Sequence, residues 1–129
     1  DARAHARSVA AEMHSGFGDL RAAMPMNLRR DGKPVALGDA AKAQVARVQA
    51  IWKECRGRAG ASGGPFLFGR FSVADAMFAP VACRFRSYGT PLDPVCAAYV
   101  RAIVELPAMQ AWRDAAAAEP WTMPKYDSL

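Results

Sequence analysis

Few side chains in this sequence are suited to acid, base or nucleophilic work, and most of them stand in apolar company. The sharpest case is "FLFGRFSVADAMFAP", Phe66 to Pro80, where a single acid, Asp75, interrupts an apolar run. A general acid or base needs a polar cleft and a partner. The immediate neighbours of Asp75 are Val73, Ala74, Ala76 and Met77. Its spacing from Ser72 fits a capping box instead: the Ser72 hydroxyl accepts from the Asp75 amide, and the Asp75 carboxylate accepts from the Ser72 amide. Asp75 is therefore expected to be structural, and its loss should lower thermal stability while sparing any activity per folded molecule.

The other candidates are weaker. His5 and His14 are nine residues apart, so they do not share adjacent turns of one helix face, and no acid or cysteine flanks either at metal-ligand spacing. His14 follows the apolar-face residue Met13 and reads as a boundary histidine bonded to backbone or water. Three cysteines, Cys55, Cys83 and Cys96, match neither a zinc site nor a redox pair and read as buried free thiols of a reducing compartment. "GRAGASGG" is not followed by Gly-Lys-Ser/Thr and leaves a helix, so it is a flexible connection and not a phosphate loop. Arg3 and Arg7 make one small basic patch, as solvated helix faces often do.

Apolar spacing supplies the elements that must position these groups. Val9, Met13, Phe17, Leu20 and Met24 recur at four, four, three and four residues, which predicts one long helix from about residue 2 to 24, ended by Pro25. Asp39 is expected to cap a second helix with Ala41, Val45, Val48, Trp52 and Cys55 on its inner face, stopped by the segment Gly57 to Pro65. A third helix runs from about Ser72 to Tyr88, burying Met77, Val81, Phe85 and Tyr88, with Pro80 inside it. Asp93-Pro94 opens a fourth and Pro107 a fifth, leaving "WTMPKYDSL" as an extended tail. No segment alternates with period two, so the fold class is all-α, a five-helix bundle.

A chain of 129 residues supports one core and one domain. The net charge of +5 is spread along the sequence, with only Arg29 and Arg30 adjacent, which argues against a nucleic-acid partner. No uncharged apolar run reaches the roughly 18 residues of a membrane span. A cytoplasmic protein without membrane attachment is expected. The chain enters a helical pattern directly at Asp1, which suggests a segment of something longer.

Two motifs taken together resemble a known family. "AEMHSGFGDLRAAMPMN", Ala11 to Asn27, and "FLFGRFSVADAMFAPV", Phe66 to Val81, are similar to the C-terminal helical domain of bacterial cytosolic glutathione S-transferases of the beta or zeta type. The terminal "PAMQAW" helix fits as well, so the resemblance covers nearly the whole of residues 1–129. It implies a dimeric enzyme whose N-terminal thioredoxin-like domain, absent from this sequence, holds glutathione as a thiolate that attacks a small electrophilic substrate. This chain would supply the hydrophobic-substrate wall from Met13, Phe17, Met24, Arg84 and Tyr88. His14 matches a histidine facing the thiol site, and Arg7 falls where a polar residue reaches the glutathione of the facing subunit. Ser15 stands where those enzymes often have lysine. Arg84, on the third helix, would hold an anionic substrate. No metal is implied. A non-catalytic helical interaction module and a glutathione-dependent isomerase of the maleylacetoacetate type are the competing readings.

Overall fold

A computed structural model describes residues 1–59 and 63–127. Over the described residues it is all-helical, with seven helices: α1 (Ala2–Ser15), α2 (Gly18–Ala23), α3 (Asp39–Ala59), α4 (Val73–Ser87), α5 (Pro94–Val104), α6 (Pro107–Ala118) and α7 (Pro124–Asp127). Among the described residues, β pairing is confined to two isolated bridges, Phe66 with Gly69 and Phe68 with Arg70.

The count exceeds the expected five at two places. The single helix expected over residues 2–24 breaks at Gly16 and Phe17. Phe17 adopts φ 61°, a left-handed conformation that no α-helix propagates. Gly16 is needed there, because a Cβ would lie 2.8 Å from the Glu12 carbonyl oxygen, which accepts from the Gly16 amide at 2.9 Å. The apolar spacing nevertheless marks the inward face across the break: Val9, Met13, Phe17, Leu20 and Met24 are all buried. The second difference is the tail, where residues expected to be extended close one turn, α7.

α3 runs antiparallel to α1, as the ion pair Glu12–Arg47 near one end and the His5–Glu54 contact near the other require. Asp39 is its first helical residue and not its cap, because the Gly38 carbonyl already accepts from the Lys42 amide. From the first turn the Asp39 charge still favours the helix dipole. α3 also continues through Gly57 to Ala59 instead of stopping at the glycine, and residues 60–62 of the expected connection lie outside the described residues. The starts of α5 and α6 follow their signals, with proline in the first turn of each and the Asp93 carboxylate accepting from the amides of Val95 and Cys96.

α4 packs between α1 and α5. Behind it, Trp52 of α3 meets Phe78, Phe85 and Tyr99 edge to face, at centroid distances of 5.9, 5.4 and 4.7 Å. These rings, with Leu20, Met24, Ile51 and Ile103, form the centre of one core.

Candidate functional site

The N-terminal end of α4 carries the acid. Asp75 is fully buried. Its Oδ2 accepts from the Ser72 amide at 2.8 Å and from the Ser72 hydroxyl at 3.0 Å, so the capping-box acid does what its spacing implies. Its Oδ1 accepts from the Leu67 amide at 2.9 Å and the Tyr99 hydroxyl at 3.1 Å. Four donors thus converge on one carboxylate and tie together α4, α5 and the Phe66–Arg70 turn. Burial first, then the neighbouring Asp75 charge, push the Tyr99 phenol far up, so it remains a donor. Neither Leu67 nor Tyr99 is within capping distance in sequence, and no local pattern marks them.

The three thiols are buried and free. Burial is the leading cause that pushes Cys55 up to about 11 and Cys96 up to about 12, and it raises Cys83 too. All three are held away from the thiolate form that nucleophilic or metal chemistry needs. The fold brings an acid and a thiol to His5 that sequence spacing did not suggest: its Nε2 lies 3.7 Å from Glu54 and 4.0 Å from the Cys55 sulfur, and its ring stands edge-on to Phe68. Among the described residues no group of three or more His, Cys, Asp or Glu side chains is disposed to hold a metal ion. No helix is long and apolar enough to cross a membrane.

On α1, Arg7 and His14 are exposed, and neither side chain makes a hydrogen bond among the described residues. Four of the five expected wall residues, Met13, Phe17, Met24 and Tyr88, lie in the domain's own core and are at most 6% exposed. Arg84 is the fifth, and it reaches the surface from the last turn of α4. Its Nε donates to the Met24 carbonyl at 2.9 Å, while the Tyr88 hydroxyl donates to the Pro25 carbonyl at 2.8 Å. Together they dock the chain leaving α2 onto the end of α4. Burial, and then the like charge of Arg21, lower the pKa of Arg84.

α4 also presents an outward apolar stripe. Phe71 (51% exposed) and Val73 (74%) lead into Ala76, Met77 and Pro80, and Arg84 ends the row. From Val73 through Ala76 or Met77 to Pro80 and Arg84 the spacing is three to four residues, which keeps these positions on one helix face. Away from it, Arg29 secures the C-terminal segment by donating to the carbonyls of Ala116 (2.9 Å), Glu119 (2.7 Å) and Trp121 (2.8 Å). An open groove of about 320 Å³ lies there, lined among others by Leu28, Trp112, Trp121 and Met123.

A search of curated proteins finds none that matches this chain. The family profile described as "Glutathione S-transferase, C-terminal domain" matches residues 38–115, more than half of the chain and the span from α3 into α6. The chain therefore belongs to the glutathione S-transferase C-terminal domain family.

Proposed function

We propose that this chain, over residues 1–129, is the substrate-side domain of a glutathione-dependent transferase of the bacterial beta or zeta type, acting on a small electrophile. Domains of this family normally pair with a thioredoxin-like N-terminal domain. The observation that carries the reading is the outward apolar row at the start of α4, Phe71 just before the helix with Val73 and Ala76 on it, which is exposed in this chain, with Met77 partly buried beside it. Such a face suits a partner domain, since exposed apolar rows of this kind mark interaction surfaces.

The three cysteines are buried and free, and burial raises their pKa values, so they are not suited to supply the nucleophilic thiolate themselves. The exposed polar groups of α1 do suit a charged peptide ligand. Glutathione, when bound, supplies the nucleophilic thiolate, with a residue of the N-terminal domain favouring its ionised form. His14 faces that thiol and orients it by a hydrogen bond, and Arg7 reaches a glutathione carboxylate across a homodimer. Met13, Phe17, Met24 and Tyr88 back the electrophile's pocket with packed apolar surface, and Arg84 stands at its rim. Buried unpaired thiols fit a cytoplasmic setting.

The test is an assay of the full-length protein with glutathione and a panel of electrophiles, beside its His14→Ala variant. A fall of about tenfold in kcat/KM at unchanged thermal midpoint is expected, within the range of positioned acid-base groups. Isomerisation without conjugate formation would move the protein to the isomerase branch. Absence of any glutathione-dependent turnover would replace the enzyme reading by an interaction module.

A further inference from the structure

The turn that follows α2 and the segment that follows α6 meet in a cleft lined by cations. Asn27 shapes the turn: its Oδ1 accepts from the backbone amides of Arg29 at 3.0 Å and Arg30 at 3.2 Å. Arg29 reaches towards the C-terminal segment, where its Nε and Nη2 are held by three backbone carbonyls, and its Nη1 makes no hydrogen bond among the described residues. Arg30 goes the other way. It is buried, with its guanidinium 4.6 Å over the Tyr88 ring and its Nε donating to the Lys33 carbonyl at 2.8 Å. The Lys33 amide donates to the Ser87 carbonyl at 3.1 Å, which fixes the backbone there, while its exposed ammonium has no partner among the described residues.

Arg29, Arg30 and Lys33 line one open cleft of about 220 Å³, and Asn27, Thr122 and Asp127 complete its wall. Asp127 is the one carboxylate among these described residues. Its oxygens accept from the Asn27 side-chain amide at 3.2 Å and the Met123 backbone amide at 2.6 Å, and no ion pair joins it to Arg29 or Lys33. Three cations against one acid leave the cleft with an excess of two positive charges. Cations gathered around one small cleft repel one another, and an anion among them removes the repulsion. A carboxylate or a sulfate ester, with a single charge, answers only half of the excess. A phosphate monoester carries about −1.5 to −2 near pH 7 and answers it in full. Arginine and lysine are also the donors that phosphate oxygens match.

The surroundings say what the phosphate is attached to. Asn27, Arg29 and Asp127 also line the neighbouring groove of about 320 Å³, so the two spaces share a wall. That groove is mostly apolar, and its Trp112, Trp121 and Met123 are exposed. Exposed tryptophans beside a cationic cleft suit a single molecule with a flat apolar group on the rings and a dianion among the cations. We propose that the cleft is a receptor for the phosphate monoester of a ring-bearing apolar molecule, held by Arg29, Arg30 and Lys33 with its ring in the adjoining groove. The receptor does not depend on the transferase reading, so either can fail alone.

The test is calorimetric titration of the full-length protein with 1-naphthyl phosphate, 1-naphthyl sulfate and inorganic phosphate. 1-Naphthyl phosphate should bind about tenfold more tightly than either of the others, the difference that one well-placed contact makes. Its affinity should fall about tenfold between about pH 7.5 and about pH 5, because the ester loses its second charge near pH 6, while that of the sulfate ester stays level. Arg29 and Arg30 also brace the backbone, so the variants spare them. Lys33→Gln should weaken 1-naphthyl phosphate about tenfold, whereas Lys42→Gln, which removes the same charge beside Asp39 on α3, should leave it unchanged. Trp121→Ala should weaken 1-naphthyl phosphate about fivefold and leave inorganic phosphate unchanged. Equal affinity for the phosphate and sulfate esters, or unchanged binding in Lys33→Gln, overturns the receptor. Inorganic phosphate that binds as tightly as the naphthyl ester, or a Trp121→Ala variant that loses nothing, overturns the part given to the groove. Failure of all three ligands to bind at about 1 mM overturns both.

Discussion

The two ends of α4 treat charge in opposite ways. At the start, Asp75 is wholly buried and receives four hydrogen bonds from Leu67, Ser72 and Tyr99. At the end, Arg84 is half-buried and has one hydrogen bond, to the Met24 carbonyl, with no ion-pair partner among the described residues. Burying an ion is tolerated when every lone pair or donor is answered, and it costs when one is not. The first end is answered in full by the protein, and the second only in part. One helix therefore carries a fully answered charge at one end and a partly answered one at the other.

Removing the keystone acid is the harshest way to break this contrast. Asp75→Ala strands the buried donors of Leu67 and Tyr99 and opens the box at Ser72. Each orphaned donor costs about 1 to 3 kcal/mol, so a loss of at least about 3 kcal/mol is expected in urea denaturation. A loss under about 1 kcal/mol would show that the network is not what holds α4, α5 and the Phe66–Arg70 turn together. Tyr99→Phe is the milder version. It removes one donor from a charged acceptor and should cost about 1.5 to 3 kcal/mol in the same experiment.

The opposite end should answer differently. Arg84→Met gives up one bond to Met24 and removes a half-buried cation without a counter-charge, so the two changes nearly cancel. Its stability should stay within about 1 kcal/mol of the parent. A loss as large as that of Asp75→Ala would make Arg84 a structural clamp and erase the difference between the ends.

How much of this was legible in the sequence follows the range of each interaction. The Ser72–Asp75 box and the Asp93-Pro94 start depend on neighbours three residues away or fewer, and both were read directly. The inward face of the first 24 residues was also legible, because burial follows periodicity even through a break. The break itself was not. A phenylalanine at φ 61° is disfavoured locally and is held there by the packing of Phe17 into the core. Tyr99, 24 residues from Asp75, carries no local mark of its role, and neither does Glu54 beside His5, 49 residues away. At the candidate site residue types were open to reading in advance, with Arg84, His14 and Arg7 all named from the resemblance. Its geometry was not, since the core position of Met13, Phe17, Met24 and Tyr88 follows from how α2 and the chain after it dock onto α4.

The smallest effect asks whether a fully answered charge matters when water, and not the core, surrounds it. Glu12 and Arg47 make two hydrogen bonds at 2.7 and 2.8 Å between α1 and α3. Their side chains are 35% and 52% exposed, so solvent screens the attraction. The hydrogen bond from Arg47 is the leading cause that lowers the Glu12 pKa below its ordinary 4.5, and the same bond raises that of Arg47. A folded pKa below the unfolded one means that the pair stabilises at pH above about 4.5 and that this gain is lost as pH falls through the folded value. Glu12→Gln should therefore cost no more than about 0.5 kcal/mol at pH 7 in low salt, and nothing measurable in 1 M salt. Once the pH has fallen through the folded value of Glu12, the variant and the parent should converge. A cost at pH 7 that persists in 1 M salt would place this pair with Asp75 as a structural tie, and would show that complete partnering, more than burial, is what makes a charge count in this domain.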